Sequence, residues 1–264
     1  MFLFYDKYKI NFLKQLKGQP TFACMKFLLA FIRFLGMACL LGAHTLWAMI
    51  GVGIFGASLP WAMRVRRSAV RTALWWMRVR IERFGNPPEG TFLYIGNHQS
   101  YLDPVVTLKF TDAMPVAKAE VENWPIIGRG VKATGVLFVK REHKGSRADT
   151  LRSVKKALLE SCSILIYPEG TTTDQAHTLP FRPGAFHVAA EIGVPIVPVA
   201  ILYGRKSDAW IGDDTFVRHF FATFGHWETR VRLYFGAPIV GSDGEWLRVE
   251  SQGAIDRMLQ QIEA

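Results

Sequence analysis

The sequence predicts an α/β fold, a mostly parallel or mixed sheet flanked by helices, with an N-terminal membrane-associated helical segment. Three observations predict it. Phe34 to Pro60 contains no Lys, Arg, Asp or Glu, and a run of that length holds the ~20 apolar residues that a bilayer-spanning helix needs. Asn86-Pro87-Pro88-Glu89-Gly90 is a turn that closes the segment. Beyond it, short apolar strands alternate with helical stretches, the pattern of a parallel sheet covered on both faces. The expected division is a membrane-associated helical segment over residues 1–85 and an α/β domain over residues 86–264.

The N-terminal segment is rich in glycine (Gly36, Gly42, Gly51, Gly53, Gly56), which lowers helix propensity in water but is common in membrane helices. It starts late and lacks a small-residue cleavage site, so it does not read as a cleaved signal peptide. Both flanks are basic: Lys7, Lys9, Lys14, Lys17, Lys26 and Arg33 before it, Arg64, Arg66, Arg67, Arg71, Arg78, Arg80 and Arg83 after it. Balanced flanks favour a helical hairpin or a tilted, half-inserted helix pair over a single span. Trp61 to Phe84, with tryptophans, arginines and Glu82 as its only acid, reads as an amphipathic helix in the lipid interface, each Arg near an anionic leaflet contributing ~1 kcal/mol.

In the second part the expected strands are Phe92–Ile95, Pro115–Ala119, Val136–Val139, Ser163–Tyr167, Ile196–Leu202 and Arg230–Phe235, and the expected helices Ser146–Glu160, Pro183–Ile192 and Trp246–Ile262. The 264 residues are 50% hydrophobic and carry a net charge of +10. A basic chain wants an anionic partner, and the eight tryptophans favour a membrane surface. No zinc spacing and no nucleic-acid motif occurs, so no metal, cofactor or nucleic-acid partner is expected. Cys24, Cys39 and Cys162 are odd in number and far apart, which fits a reducing compartment.

Four blocks carry chemistry. Asn97-His98-Gln99-Ser100-Tyr101-Leu102-Asp103 places a histidine and an aspartate just after a buried strand, where a base and its orienting carboxylate lie in α/β folds. Gly135 to Arg141 is a strand that ends in Lys140 and Arg141, a pair able to clamp a phosphate. Ile164 to Asp174 is a strand that stops at Pro168 and yields Glu169, Gly170, Thr171, Thr172 and Thr173. Gly193-Val194-Pro195-Ile196-Val197-Pro198-Val199 reads as an edge strand, a bulge or a rigid substrate wall. Before it, Phe181-Arg182-Pro183-Gly184-Ala185-Phe186 puts Arg182 ahead of a helix with Pro at its first position.

In this order, across about Thr91 to Tyr203, the blocks resemble the lysophospholipid acyltransferase family, whose type member is 1-acyl-glycerol-3-phosphate acyltransferase. The resemblance implies an O-acyltransferase at the inner, cytoplasmic membrane of a bacterium, its catalytic domain facing the cytoplasm. His98 would be the general base on a lysolipid hydroxyl, which attacks the thioester of acyl-CoA or acyl-carrier protein. Asp103 would orient the imidazole, and Asn97 would make a local hydrogen bond. Lys140 and Arg141 would hold the acceptor phosphate, and Glu169, Gly170 and Thr171 would line the acceptor pocket. The first-choice acceptor is 1-acyl-glycerol-3-phosphate, giving phosphatidic acid. Members acting on that acceptor usually carry Arg after Glu-Gly-Thr, whereas this chain has Thr172. That departure points to other lysolipids, namely lyso-ornithine lipid, lysophosphatidylcholine or lysophosphatidylethanolamine, with Arg182 able to supply the missing charge. A lipid hydrolase and a non-catalytic membrane scaffold are the rival classes.

Overall fold

Leu93 and Ile95 point to one face of a sheet and Tyr94 to the other, so every residue of this short strand is buried. The computed structural model describes residues 20–118, 134–139 and 144–263. In chain order its elements are α1 (Pro20–Gly53), α2 (Leu59–Trp76), β1 (Val79–Phe84), β2 (Leu93–Gly96), α3 (Asp103–Leu108), β3 (Met114–Lys118), β4 (Leu137–Val139), α4 (Lys144–Leu159), β5 (Ile164–Ile166), α5 (Gly184–Ile192), β6 (Ile196–Tyr203), α6 (Phe216–Phe224), β7 (Thr229–Phe235) and α7 (Gly244–Glu263). The strands form one sheet in the order β1-β7-β6-β2-β5-β3-β4. Pairing is parallel throughout except between β6 and β7. The mixed α/β class expected from the sequence is therefore the observed one, and each expected strand is present within a residue or two. The proline-containing strand β6, for which an edge position was one expectation, is central instead: it lies between β7 and β2.

Two cores sandwich the sheet. On one face Leu93, Ile95, Ile164 and Ile196 pack with Phe186, Leu247 and Ile255 of α5 and α7. On the other, Tyr94, Leu165, Val199 and Leu233 pack with Leu74, Val106 and Phe220 of α2, α3 and α6. Helices α3 and α6 were not expected from the sequence. The first is only six residues long, too short to show a period; the second starts at Thr215, whose hydroxyl caps the Arg218 amide.

The expected interfacial helix over Trp61–Phe84 is corrected at its end. Helix α2 stops at Trp76, Arg78 turns into the left-handed region (φ 54), and Val79–Phe84 is a strand paired parallel with β7. The alternation of Val79 and Ile81 with Arg80 and Glu82 was the signal for it. Sheet structure thus begins ahead of the turn at 86–90.

Among the described residues, one helix is long and apolar enough to cross a membrane, over 23–53. It packs on α2 as a hairpin, and glycines set the fit: a Cβ on Gly36 would lie 2.3 Å from the Trp76 indole, and one on Gly51 2.0 Å from Trp61. Several arginines of the two basic flanks have partners within the protein. Arg33, 3% exposed, donates to the carbonyls of Phe224, His226 and Trp227 at the end of α6, at 2.8, 2.5 and 2.7 Å. Arg66 donates to the carbonyls of Ala113 (2.8 Å) and Thr134 (2.9 Å), and desolvation lowers its pKa to about 10. Arg67 pairs with Asp112, Arg80 with Glu228, and Arg78 lies over the Trp227 ring. Carbonyls at a helix end, carboxylates and aromatic faces are all favourable partners for a guanidinium group.

Candidate active site

Parallel strands bring the loops after β2, β5 and β6 to one edge of the sheet, and the described site residues converge there. Asn97 anchors the first loop. Its Nδ2 donates to the Ile201 carbonyl at 2.9 Å and its Oδ1 accepts the Ile201 amide at 2.8 Å. The expected local bond is therefore a tie to β6, in which a side chain replaces a backbone ladder pair.

His98 Nδ1 lies 2.7 Å from Asp103 Oδ2. Asp103 is fully buried, and its carboxylate gathers three more donors: the amides of Gln99 (2.6 Å) and Ser100 (2.8 Å) and the Tyr203 hydroxyl (2.7 Å). A carboxylate that only accepts puts the imidazole hydrogen on Nδ1 and leaves the Nε2 lone pair open. The Tyr167 ring stacks on the imidazole with centroids 4.6 Å apart and planes 16° apart. Gly96 makes room for it, since a Cβ there would lie 2.8 Å from the ring. The imidazole is thus fixed in plane by Tyr167 and in tautomer by Asp103. Burial pushes the hydroxyls of Tyr167 and Tyr203 well above the usual tyrosine range, with the Asp103 charge adding to it. Both hydroxyls stay protonated, so Tyr203 remains a donor.

Glu169 was expected to line a pocket; it sits behind His98 instead. It is 6% exposed, and its Oε1 accepts the His98 amide at 3.0 Å. Desolvation raises its pKa to about 7, against the pull of the His98 and Leu179 amides. The Thr173 amide closes the brace on the His98 carbonyl at 2.9 Å.

His98, Gly170, Thr171 and Thr172 open on one cavity of about 760 Å³. Its far wall is apolar, with Met37, Leu41 and Ala48 of α1 and Val70, Ala73 and Leu74 of α2. That volume falls within the usual range of ligand clefts. Gly170 adopts φ +75 with the Arg182 guanidinium against it, 2.7 Å from where a Cβ would stand. Arg182 itself is exposed and does not line the cavity. The Thr172 hydroxyl donates to the Trp210 carbonyl. Lys140 and Arg141 lie outside the described residues. No group of three or more His, Cys, Asp or Glu side chains suited to a metal ion occurs among the described residues.

Sequence reading placed His98, Asp103, Gly170, Thr171 and Thr172 at this edge, and the structure brings them together. It missed Tyr167, Tyr203 and Trp210. For Tyr167 a signal existed: a ring that closes one buried strand needs a gap in its neighbour, and Gly96 at the end of another buried strand provides one. Tyr203 and Trp210 carried none. The arrangement offers an oriented imidazole with a free nitrogen beside a largely apolar cavity, suited to taking a proton from a hydroxyl next to an alkyl chain.

Known proteins resemble this chain in sequence and in fold. The family model described as Acyltransferase matches residues 78–202. A lyso-ornithine lipid O-acyltransferase of Pseudomonas aeruginosa is 31% identical over 212 residues, 75% of this chain and 78% of that protein. A chloroplastic 1-acyl-sn-glycerol-3-phosphate acyltransferase of Brassica napus, BAT2, is 29% identical over 164 residues, 62% of this chain and 45% of that protein. Lysophosphatidylcholine acyltransferase 1 of Danio rerio is 32% identical over 169 residues, 59% of this chain and 32% of that protein. The chain thus spans less than half the length of the plant and fish relatives. The crystal structure of the 1-acyl-sn-glycerophosphate acyltransferase PlsC from Thermotoga maritima superposes with a TM-score of 0.59 at 21% identity, over 88% of this chain and 98% of that one, and so shares the fold.

Proposed function

The chain belongs to the lysophospholipid acyltransferase family, and from that premise we propose that it transfers a fatty acyl group from an acyl thioester to the free hydroxyl of a lysolipid. One observation carries the reading: the His98–Asp103 pair opens on the apolar cavity between the sheet edge and the α1–α2 hairpin. In the proposed reaction His98 Nε2 takes the hydroxyl proton of the acceptor. The oxygen attacks the thioester carbonyl, the ester bond forms and the carbon–sulfur bond breaks. The thiolate of CoA or acyl-carrier protein leaves and recovers the proton from the imidazolium, which Asp103 stabilises. A positioned general base of this kind contributes ~10²–10⁴-fold in rate, and the cavity supplies the alignment.

Lysophosphatidate is the acceptor assigned first, because 1-acyl-sn-glycerol-3-phosphate acyltransferases recur among the relatives. A second reading, lyso-ornithine lipid, rests on Thr172 in place of a cation and on the relative from Pseudomonas aeruginosa. Lys140 and Arg141 are assigned to the acceptor phosphate on the resemblance of their motif to the family's. Membrane association is supported by the apolar side chains that α1 exposes, ending in Ile54 (73%) and Phe55 (74%) at the hairpin turn; the proposed site is the cytoplasmic membrane of a bacterium, with the sheet domain on the cytoplasmic side.

Full-length protein incubated with acyl-CoA, with and without a panel of lysolipids, tests the reaction. CoA release that requires the lysolipid, together with acylated product and its loss by about 10²-fold or more in His98→Ala, is the expected result. Equal CoA release without acceptor would make the protein a thioester hydrolase, and full activity of His98→Ala would remove the base from His98.

A further inference from the structure

The segment between β6 and α6, residues 204–215, is a braced loop. Arg205 Nε and Nη2 donate to Asp208 Oδ1 at 3.2 and 2.9 Å. His219 Nε2 faces the Ala209 carbonyl at 3.0 Å. A carbonyl only accepts, so Nε2 carries the hydrogen, and the Tyr101 hydroxyl 3.2 Å from Nδ1 is the donor to the other nitrogen. Trp210 sits at the centre. Its amide donates to the Gln99 carbonyl at 2.8 Å, its indole Nε1 to the Asp214 carbonyl at 2.7 Å, and its carbonyl accepts from the Thr172 hydroxyl. Its ring meets that of Tyr101 edge-on at 5.4 Å. Gln99 directly follows His98, and Thr172 follows Gly170 and Thr171, so one residue is tied to both loops of the site. Trp210, Thr172 and His98 line the same cavity.

A threonine hydroxyl has one hydrogen to give, and here the Trp210 carbonyl takes it. The Thr172 side chain therefore has no hydrogen left for a phosphate or any other anionic headgroup. We propose that Thr172 is a positioning residue and Trp210 the specificity-determining wall of the acceptor site: the Thr172 hydroxyl holds Trp210 across the His98 end of the cavity, and the acceptor is selected by its fit against that wall. The inference rests on the acyl-transfer reading for the identity of the ligand, though not for the brace itself.

Thr172→Val keeps the shape and deletes the hydroxyl, and Thr172→Ser restores it. With acyl-CoA and the lysolipid panel, Thr172→Val is expected to raise the KM for the acceptor about 5- to 10-fold, the loss of one hydrogen bond. The KM for acyl-CoA and kcat stay within about twofold, Thr172→Ser behaves as wild type, and Trp210→Phe changes the ranking of acceptors. In parallel, amide hydrogen exchange over residues 209–214 accelerates in Thr172→Val. An unchanged acceptor KM across the panel, or an equal rise for donor and acceptor, overturns the selecting role. If the wild type acylates no lysolipid, the reaction assigned above fails and the selecting role with it; unchanged exchange at 209–214 overturns the brace whatever the activity.

Discussion

Asp103 shows how much a single buried carboxylate organises. Four donors from two distant parts of the chain reach it, and only one of them, His98, is a side chain the motif itself names. Glu169 has a different role: it holds the His98 backbone from behind, and its burial has a consequence for stability. Its carboxyl titrates near 4.5 when free and at about 7 in the fold. The folded state therefore binds that proton more tightly, and the contribution to stability is fully present below about 4.5 and is lost as pH rises to about 7. Glu169→Gln keeps an oxygen to accept the His98 amide and removes the titration. Thermal unfolding in detergent micelles across that window should show the wild type losing stability relative to the variant as pH rises; parallel curves would contradict the burial effect.

The α1–α2 hairpin is an element whose fit depends on absent side chains. Gly36 and Gly51 on α1 admit Trp76 and Trp61 of α2, so both ends of the hairpin are set by a ring entering a glycine notch. Gly53, on the same helix, has nothing within 4 Å of where a Cβ would stand. Gly36→Ala should overpack the notch and destabilise by about 1–3 kcal/mol, while Gly53→Ala should be neutral or slightly stabilising through helix propensity. Unfolding temperatures of the two variants check this, and equal shifts would show that the notch is not a constraint. The arginines of the same region follow another rule. The sequence displays them as a basic flank, but Arg33 and Arg66 are consumed by backbone carbonyls and Arg67 and Arg80 by acids. Which charge is free depends on neighbours that a local reading does not contain.

For the whole molecule, the apolar face of α1 and the internal pairing of those arginines predict how the chain holds to a membrane. If apolar contact dominates, washing with about 1 M salt, which shortens the screening length to ~3 Å, leaves the protein in the membrane fraction and detergent releases it. Release by salt alone would assign the attachment to charge. The sequence by itself determined the four ordered motifs, the apolar helix, the strands and the family they imply, because each is written in contiguous residues whose period reports burial. Strand β1 lay within that reach and was overrun by the helical pattern ahead of it, since nothing local marks the left-handed Arg78. The tertiary structure alone decided what completes the site. Tyr203 reaches Asp103, Asn97 reaches Ile201 and Thr172 reaches Trp210 because β2 lies between β6 and β5 in the sheet. In these three pairs strand order brings together residues as many as 104 positions apart in the chain, and hydrogen bonds across such a distance leave no periodic trace in the sequence.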